Sequence, residues 1–321
     1  MLDNSHQTTN LSVTIVTLTY RDFSELNKTI ESVFEQDFSE IESVEYVIAD
    51  DGSENFNKEL VDLAVKKHQS NNDTPVKVII YSNTKNVGTV KSFNKAISIS
   101  HGDIVVPLSA SDEFYDSMAV SSIVKEFKKC SAPIITARRE ISSNGERLAI
   151  RPNKRCAEKL KKQSVPELLK TLAIRGNFIS GACTYYRRAF LEEIGGFDES
   201  YVLLEDYPFY LRALNQGHAI GFLDSITMKH QVGGVSSRNQ KEMHPALKHD
   251  FSEARKWIKR NVPFTKYERR MFNFFQLKNT KQKVHPKTVL CNFDCVLLWV
   301  SSVLYEKIAG WIFDSSGNTK T

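Results

Sequence analysis

The sequence predicts an α/β protein: a Rossmann-like, mostly parallel sheet with helices on both faces, followed by a basic helical extension. Three observations carry this. Short apolar runs alternate with helix-period patterns through the first hundred residues, the order that arises when each strand crosses through a helix to a parallel neighbour. Polar or acidic residues follow each of those runs, at the edge where open α/β sheets bind ligands. Positive charge gathers late: Lys241 to Lys287 hold thirteen Lys or Arg against four Asp or Glu, whereas the whole chain is only +5.

Leu11 to Leu18 reads as the first strand, and Asp22 with Glu25 as a capping box for a helix carrying Leu26, Ile30, Val33 and Phe34. Strands Val44 to Ala49, Val76 to Tyr81 and Ile104 to Leu108 follow, separated by helices over Lys58 to His68 and Thr89 to Ser100. Right-handed crossovers then line the carboxyl ends of all four strands along one edge. Farther on come a strand near Pro133 to Arg138, an Asn144-Gly145 turn and a helix capped by Ser164 and Glu167. Ile179 to Arg187 reads as a strand, Leu191 to Ile194 as a short helix stopped by Gly195-Gly196, and Asp206 to Gln216 as a helix closed by Gly217. Strand Ala219 to Leu223 precedes Gly233-Gly234. From Pro245 two or three basic amphipathic helices lead into a last one, Val289 to Ile312.

Several classes are excluded by composition. No stretch reaches the roughly 18 uninterrupted apolar residues of a membrane span, because the one candidate, Val289 to Trp311, is broken by Asp294, Glu306 and Lys307. Met1 to Asn10 is polar and does not read as a secretory signal, so a cytoplasmic protein is expected. Five scattered cysteines argue against a disulfide framework. Cys291 and Cys295, four apart, are expected as buried thiols.

The chemistry-bearing residues sit after the strands. Asp50 and Asp51 precede a glycine in a turn at the binding edge, where an acid pair either meets a ligand or caps a helix. The fourth strand leads into Ser109, Ala110, Ser111, Asp112 and Glu113. Glu205-Asp206 opens a helix, which fixes carboxylates at a cavity rim or merely satisfies the macrodipole. Gly181 allows close backbone approach, although turn geometry explains it equally. Lys91 and Arg238 are candidates for phosphate contact and otherwise solvated charges. His230 is lone, and lone histidines are more often structural.

Taken together, Leu11 to Tyr20, Gln36 in "ESVFEQDF", Asp50-Asp51-Gly52-Ser53, Asn86-Val87-Gly88, Gly102-Asp103 and Gly181 through "RRAFLEEIGGFDE" to "LEDYPFYLRALNQG" resemble the inverting family 2 glycosyltransferases of the GT-A fold. The resemblance spans roughly Leu11 to Asn239 and implies a nucleotide-diphosphate sugar donor, UDP-linked in the main reading. By resemblance Asp51, beside Asp50, meets the nucleobase, with Thr19 and Tyr20 lining the same pocket. Lys91 and Ser111 join the nucleotide ligands, Ser111 through a hydrogen bond to ribose. Asp112 matches the family's last metal-binding acid and His230 the histidine that completes the metal and diphosphate site for Mn²⁺ or Mg²⁺. Ser109 and Ser111 depart from the pattern, for serine is a poor metal ligand. The family's acid pair assigns the general base to Asp206 and a supporting role to Glu205, which with Gly181 binds the acceptor.

The expected organisation is a flexible N-terminus (1–10), a GT-A domain (11–240) with nucleotide-binding (11–116) and acceptor-binding (117–240) halves, and a basic amphipathic helical region (241–321). The expected function is transfer of a sugar to an acceptor hydroxyl, on a saccharide carried by a polyprenyl-diphosphate lipid in O-antigen (lipopolysaccharide) or capsule synthesis. The basic helices then meet the anionic inner face of the cytoplasmic membrane, and no nucleic acid is involved, since no recognition motif accompanies the charge. A sugar nucleotidyltransferase is the first alternative, although "TLTYRDFSE" lacks the glycine-rich phosphate loop. A non-catalytic or degenerate sugar-nucleotide-binding protein is the second, raised by Ser109 and Ser111.

Overall fold

The computed structural model describes residues 10–69, 75–143, 146–231 and 243–316. Its strands are β1 (Val13–Thr19), β2 (Val44–Asp50), β3 (Val76–Ser82), β4 (Ile104–Pro107), β5 (Asp112–Phe114), β6 (Ile134–Ser143), β7 (Glu146–Arg151), β8 (Thr184–Arg187) and β9 (Ile220–Gln231). The helices up to the acid pair are α1 (Leu26–Phe34), α2 (Lys58–Gln69), α3 (Thr89–Ser98), α4 (Ala119–Lys129), α5 (Lys154–Lys162), α6 (Val165–Arg175) and α7 (Arg188–Glu193). They continue as α8 (Asp206–Asn215), α9 (Pro245–Asn261), α10 (Lys266–Phe272), α11 (Thr280–Lys283), α12 (Pro286–Cys291) and α13 (Phe293–Ser316).

These strands form one sheet in the order β3-β2-β1-β4-β8-β6-β9-β5, with β7 beside β6. β3, β2, β1 and β4 pair in parallel, as does β6 with β9. β5, β7 and β8 run antiparallel to their neighbours. The α/β class expected from the sequence is therefore the one observed. Winding outward from β1 reverses at β4, and such a switch point opens a crevice beyond the carboxyl ends of the strands.

Helices cover both faces, so the central strands are apolar on both sides. Val16, Val47 and Val105 enter a core with α3, α6 and α8, while Ile15, Ile48 and Val106 enter another with α1 and α4. Burying each such side chain contributes about 1.5–3 kcal/mol relative to exposure. Ala254 and Ile258 of α9 and Phe272 of α10 belong to the first core, which seats the start of the basic region against α6 and α8.

Four local expectations change. Asp22 does not cap α1; its Oδ1 accepts from the N–H and hydroxyl of Ser24, in a turn preceding the helix, and Glu25 makes no cap bond. β9 continues to Gln231, so His230 lies within a strand. Cys291 is exposed, while Cys295 is buried as expected. The basic region breaks into five helices with a π-helical turn at Asn273–Leu277. The Asn144-Gly145 turn, Gly233-Gly234 and Arg238 lie outside the described residues. Among the described residues no helix is long and apolar enough to cross a membrane.

Candidate active site

At the nucleotide edge, β1 and β2 end in register, Thr19 opposite Asp50. Asp50 is wholly buried. Its Oδ1 accepts from the Ser53 hydroxyl (2.6 Å), and its Oδ2 from the Ser53 N–H (2.8 Å) and the Ser82 hydroxyl (2.6 Å). That leaves no surface for a ligand, so the expected nucleotide contact of Asp50 is replaced by a turn-holding role. Asp51 Oδ1 accepts from Asn83 Nδ2 (3.0 Å), Ser92 Oγ (2.7 Å) and the Val87 N–H (2.9 Å), and Oδ2 from the Gly88 N–H (2.9 Å). A carboxylate has about four lone-pair sites, two on each oxygen, so Oδ2 alone keeps one unused.

The remaining nucleotide candidates differ in access. Thr19 is buried, and its hydroxyl donates to the Asp22 carbonyl (3.3 Å). Tyr20 is 38% exposed, with the Arg21 guanidinium 4.9 Å from its ring centroid. Arg21 has φ 63°, the left-handed region that costs a non-glycine residue about 1–2 kcal/mol. Its N–H donates to Ser53 Oγ at 2.8 Å, which holds the strained turn. Nothing in the sequence marked Arg21. Lys91 is exposed on the first turns of α3, and Ser111 is partly exposed beside Asp112.

Asp112 and His230, 118 residues apart, are brought together by the antiparallel register of β5 on β9. His230 Nδ1 lies 2.7 Å from Asp112 Oδ1. Asp112 Oδ2 is buried and has no hydrogen-bond partner among the described residues. Leaving a buried carboxylate oxygen unpaired is costly, which marks a position built for a cation or donor. A carboxylate and an imidazole suit a divalent ion that takes its other ligands from phosphate oxygens and water. Among the described residues no group of three or more His, Cys, Asp and Glu gathers to hold a metal unaided.

The acid pair stands at the start of α8. Asp250 of α9 fixes the approach, its Oδ2 accepting from the N–H groups of Val202 (3.0 Å), Leu203 (2.7 Å) and Leu204 (3.1 Å). The Val90 N–H also donates to the Val202 carbonyl (3.3 Å), tying the first turn of α3 to the loop before α8. Asp206 Oδ2 accepts from Asn177 Nδ2 (3.1 Å) and the Gly181 N–H (3.2 Å), and Oδ1 from the Tyr207 N–H (2.6 Å). Burial raises the Asp206 carboxyl, and those three donors pull it back. Glu205 has only its own backbone N–H to lower it; burial and then the adjacent Asp206 charge raise it to about 8. Both carboxyls of the pair are thus raised, with burial the first cause in each.

Arg139 of β6 lies between the two centres. Its register partner is Met228, two residues before His230. Its charge lowers Asp206 and also Cys183, which burial pushes up to about 11 and which feels Asp112 as well. Its Nε is buried without a partner among the described residues. In the sequence it read as an ordinary strand residue, and no spacing distinguished it.

A family model described as Glycosyl transferase family 2 matches residues 14–195. Among solved structures, Staphylococcus aureus TarS 1-349 in complex with UDP-GlcNAc is similar, with TM-score 0.59 and 15% identity over 83% of this chain and 71% of that one. A mannosyltransferase from Pyrobaculum calidifontis, PcManGT, in complex with GDP-Man and Mn²⁺, gives TM-score 0.58 and 13% identity over 97% and 80%. At such identities the likeness speaks for the fold alone. No curated protein sequence matches.

Proposed function

Because the chain belongs to glycosyl transferase family 2, and so is a glycosyltransferase, we propose that it moves a sugar from a nucleotide diphosphate, UDP-linked, onto an acceptor hydroxyl with inversion. The observation that carries this is the placement of the buried Asp112 Oδ2 and of the raised Glu205/Asp206 pair, with the Arg139 Nε between them, both polar atoms without a partner among the described residues. One centre suits a diphosphate and the other an acceptor. The nucleoside rests against Tyr20, Arg21, Asp51 Oδ2 and Ser111, with Lys91 at the rim and Thr19 holding the turn.

Asp112 and His230 would hold Mn²⁺ or Mg²⁺, which neutralises charge on the departing diphosphate. Arg139 offers a planar fork to the same phosphate oxygens. Glu205, neutral, donates a hydrogen bond to a sugar hydroxyl. The acceptor oxygen bonds to the anomeric carbon opposite the leaving group, the C1–O bond breaks toward the diphosphate, and the acceptor proton passes to Asp206. The neighbours in complex with UDP-GlcNAc and with GDP-Man and Mn²⁺ support the donor class and the metal. We further place the acceptor on a polyprenyl-diphosphate lipid at an anionic membrane, as in O-antigen or capsule synthesis. The basic C-terminal region and the exposed apolar residues of α13 support that reading.

The test is a panel of UDP- and GDP-sugars with Mn²⁺ and lipid-linked or soluble saccharide acceptors, read by mass and by anomeric configuration. A product heavier by one sugar, with inverted configuration, is expected. Nucleotide-sugar binding without product would favour the non-catalytic reading that Ser109 and Ser111 raise.

Gly181 gives a sharper local test. A Cβ built there meets Asp206 Cβ at 3.1 Å, Asp206 Oδ2 at 3.3 Å and Glu205 Oε1 at 3.3 Å. Gly181→Ala is expected to displace the pair and lower kcat by roughly tenfold to a hundredfold, with little change in melting temperature. Normal kcat in a folded variant would show that the acids do not need their present positions.

A further inference from the structure

Four cations converge beside the acceptor loop without any acid to match them. Arg155 and Lys159 come from α5, Arg175 ends α6, and Lys283 ends α11. Lys159, Arg175 and Lys283 are partly buried. Among the described residues none of the four forms an ion pair or bonds to a carboxylate. Three of them lie over aromatic rings: Arg175 3.9 Å over that of Phe275, Lys283 5.7 Å from those of Phe274 and Trp299, and Lys159 5.7 Å from that of Phe178; Lys283 also donates to the Phe275 carbonyl at 3.3 Å. Elsewhere Arg138 is matched by Asp224 and Lys170 by Glu268, while Arg188 donates to the carbonyls of Ile97 and Gly102.

Gathering like charges where water is scarce is unfavourable unless an anion completes the site. Burial first, then the neighbouring cations, lower the pKa of Lys159 and Arg175, and burial followed by the Arg175 charge lowers that of Lys283. The location names the anion's owner. Arg175 is two residues from Asn177, which hydrogen-bonds Asp206, and the Lys159 ring partner Phe178 follows directly. On the outer side, Arg175 donates to Ser302 Oγ of α13 at 2.7 Å. The inner face of α13 presents Cys295, Trp299 and Ser302, and its outer face leaves Phe293, Leu297, Leu304 and Ile308 at least half exposed. Such a stripe lies along a bilayer surface rather than across it.

We propose that Arg155, Lys159, Arg175 and Lys283 form the binding site for the phosphate or diphosphate ester of a lipid-carried acceptor, with the outer face of α13 lying against the membrane that holds the lipid. The inference rests on the acceptor reading above and adds the residues that recognise the carrier. The phosphate binds the cation cluster, the lipid tail runs toward α13, and the first sugar extends past Phe178 to Asp206.

The test uses the full chain and zwitterionic vesicles carrying a few per cent geranylgeranyl diphosphate, with flotation as the readout. Wild type should bind these vesicles. Arg175→Gln with Lys283→Gln, and separately Lys159→Gln in case the first pair unfolds, should each weaken binding by roughly tenfold or more while the Kd for UDP stays unchanged. Undiminished vesicle binding by folded variants would overturn the proposal. If inorganic pyrophosphate competes at the same concentration as the lipid diphosphate, and plain vesicles bind equally well, the site takes a free anion and the lipid assignment fails. Arg175-dependent binding without transfer to any lipid-linked sugar would uphold the site and sink the acceptor reading instead.

Discussion

Asp206→Asn is expected to lower kcat by roughly 10²-fold or more while leaving UDP binding intact. The asparagine keeps the shape and one oxygen to accept from Gly181 and Asn177, but it cannot take a proton. Glu205→Gln should cost far less, because the native Glu205 is raised by burial and by Asp206 until it is neutral, and glutamine mimics a neutral, donating carboxyl. Wild-type kcat should rise with pH as Asp206 ionises, with its midpoint above the ordinary carboxylate range because burial raises that group. Stability runs the other way. A carboxyl raised on folding contributes stability that is complete below its unfolded pKa and is lost as pH rises through the folded one. Glu205→Gln should therefore not melt lower than wild type at neutral pH. A folded Glu205→Gln with no activity beside an active Asp206→Asn would reverse the roles; activity in both would place the base elsewhere.

The sheet edge was legible because it depends on local signals: an apolar run, a polar cluster, a glycine. Asp51 and Asp112 become candidates that way, and the family resemblance, not local pattern, proposes their roles and that of Asp206. What each carboxylate touches was not legible, since Asp50 and Asp51 have the same local sequence whether they meet a nucleobase or their own loops. Asp51 accepts from Asn83, Val87, Gly88 and Ser92, an arrangement set by how β3 and α3 pack beside β2. Arg139 and Asp250 escaped notice for a related reason. One sat in a run read only as a strand, the other in a segment read for its net positive charge, and each acquires its role from a partner over forty residues away, Asp206 or Val202. The length of β9 was underestimated because Asp224 and Lys229 interrupt its apolar pattern; in the structure Asp224 pairs with Arg138 and Lys161, and Lys229 lies over Tyr115.

Asp112→Ala should reduce transfer by roughly 10²-fold or more, since a metal ligand that stabilises a developing diphosphate is worth several kcal/mol and each 1.36 kcal/mol is tenfold in rate. The carboxylate is wholly buried, with one oxygen held by His230 and the other unpartnered among the described residues. Removing it deletes the centre's only described anion and leaves the imidazole unpaired. Calorimetry separates this loss from general damage. UDP binding in Mn²⁺ should weaken at least tenfold in the variant, whereas UDP binding in excess chelator should be equal in variant and wild type, because Tyr20, Arg21 and Asp51 are untouched. His230→Ala should fall between the two, since a neutral imidazole contributes a ligand but no charge. The serines at 109 and 111 leave Asp112 to supply the charge alone, which makes it less replaceable than where several acids share the ion. Wild-type transfer at full rate in excess chelator would overturn the metal reading, and the diphosphate would then be neutralised by Arg139 and Lys91 instead.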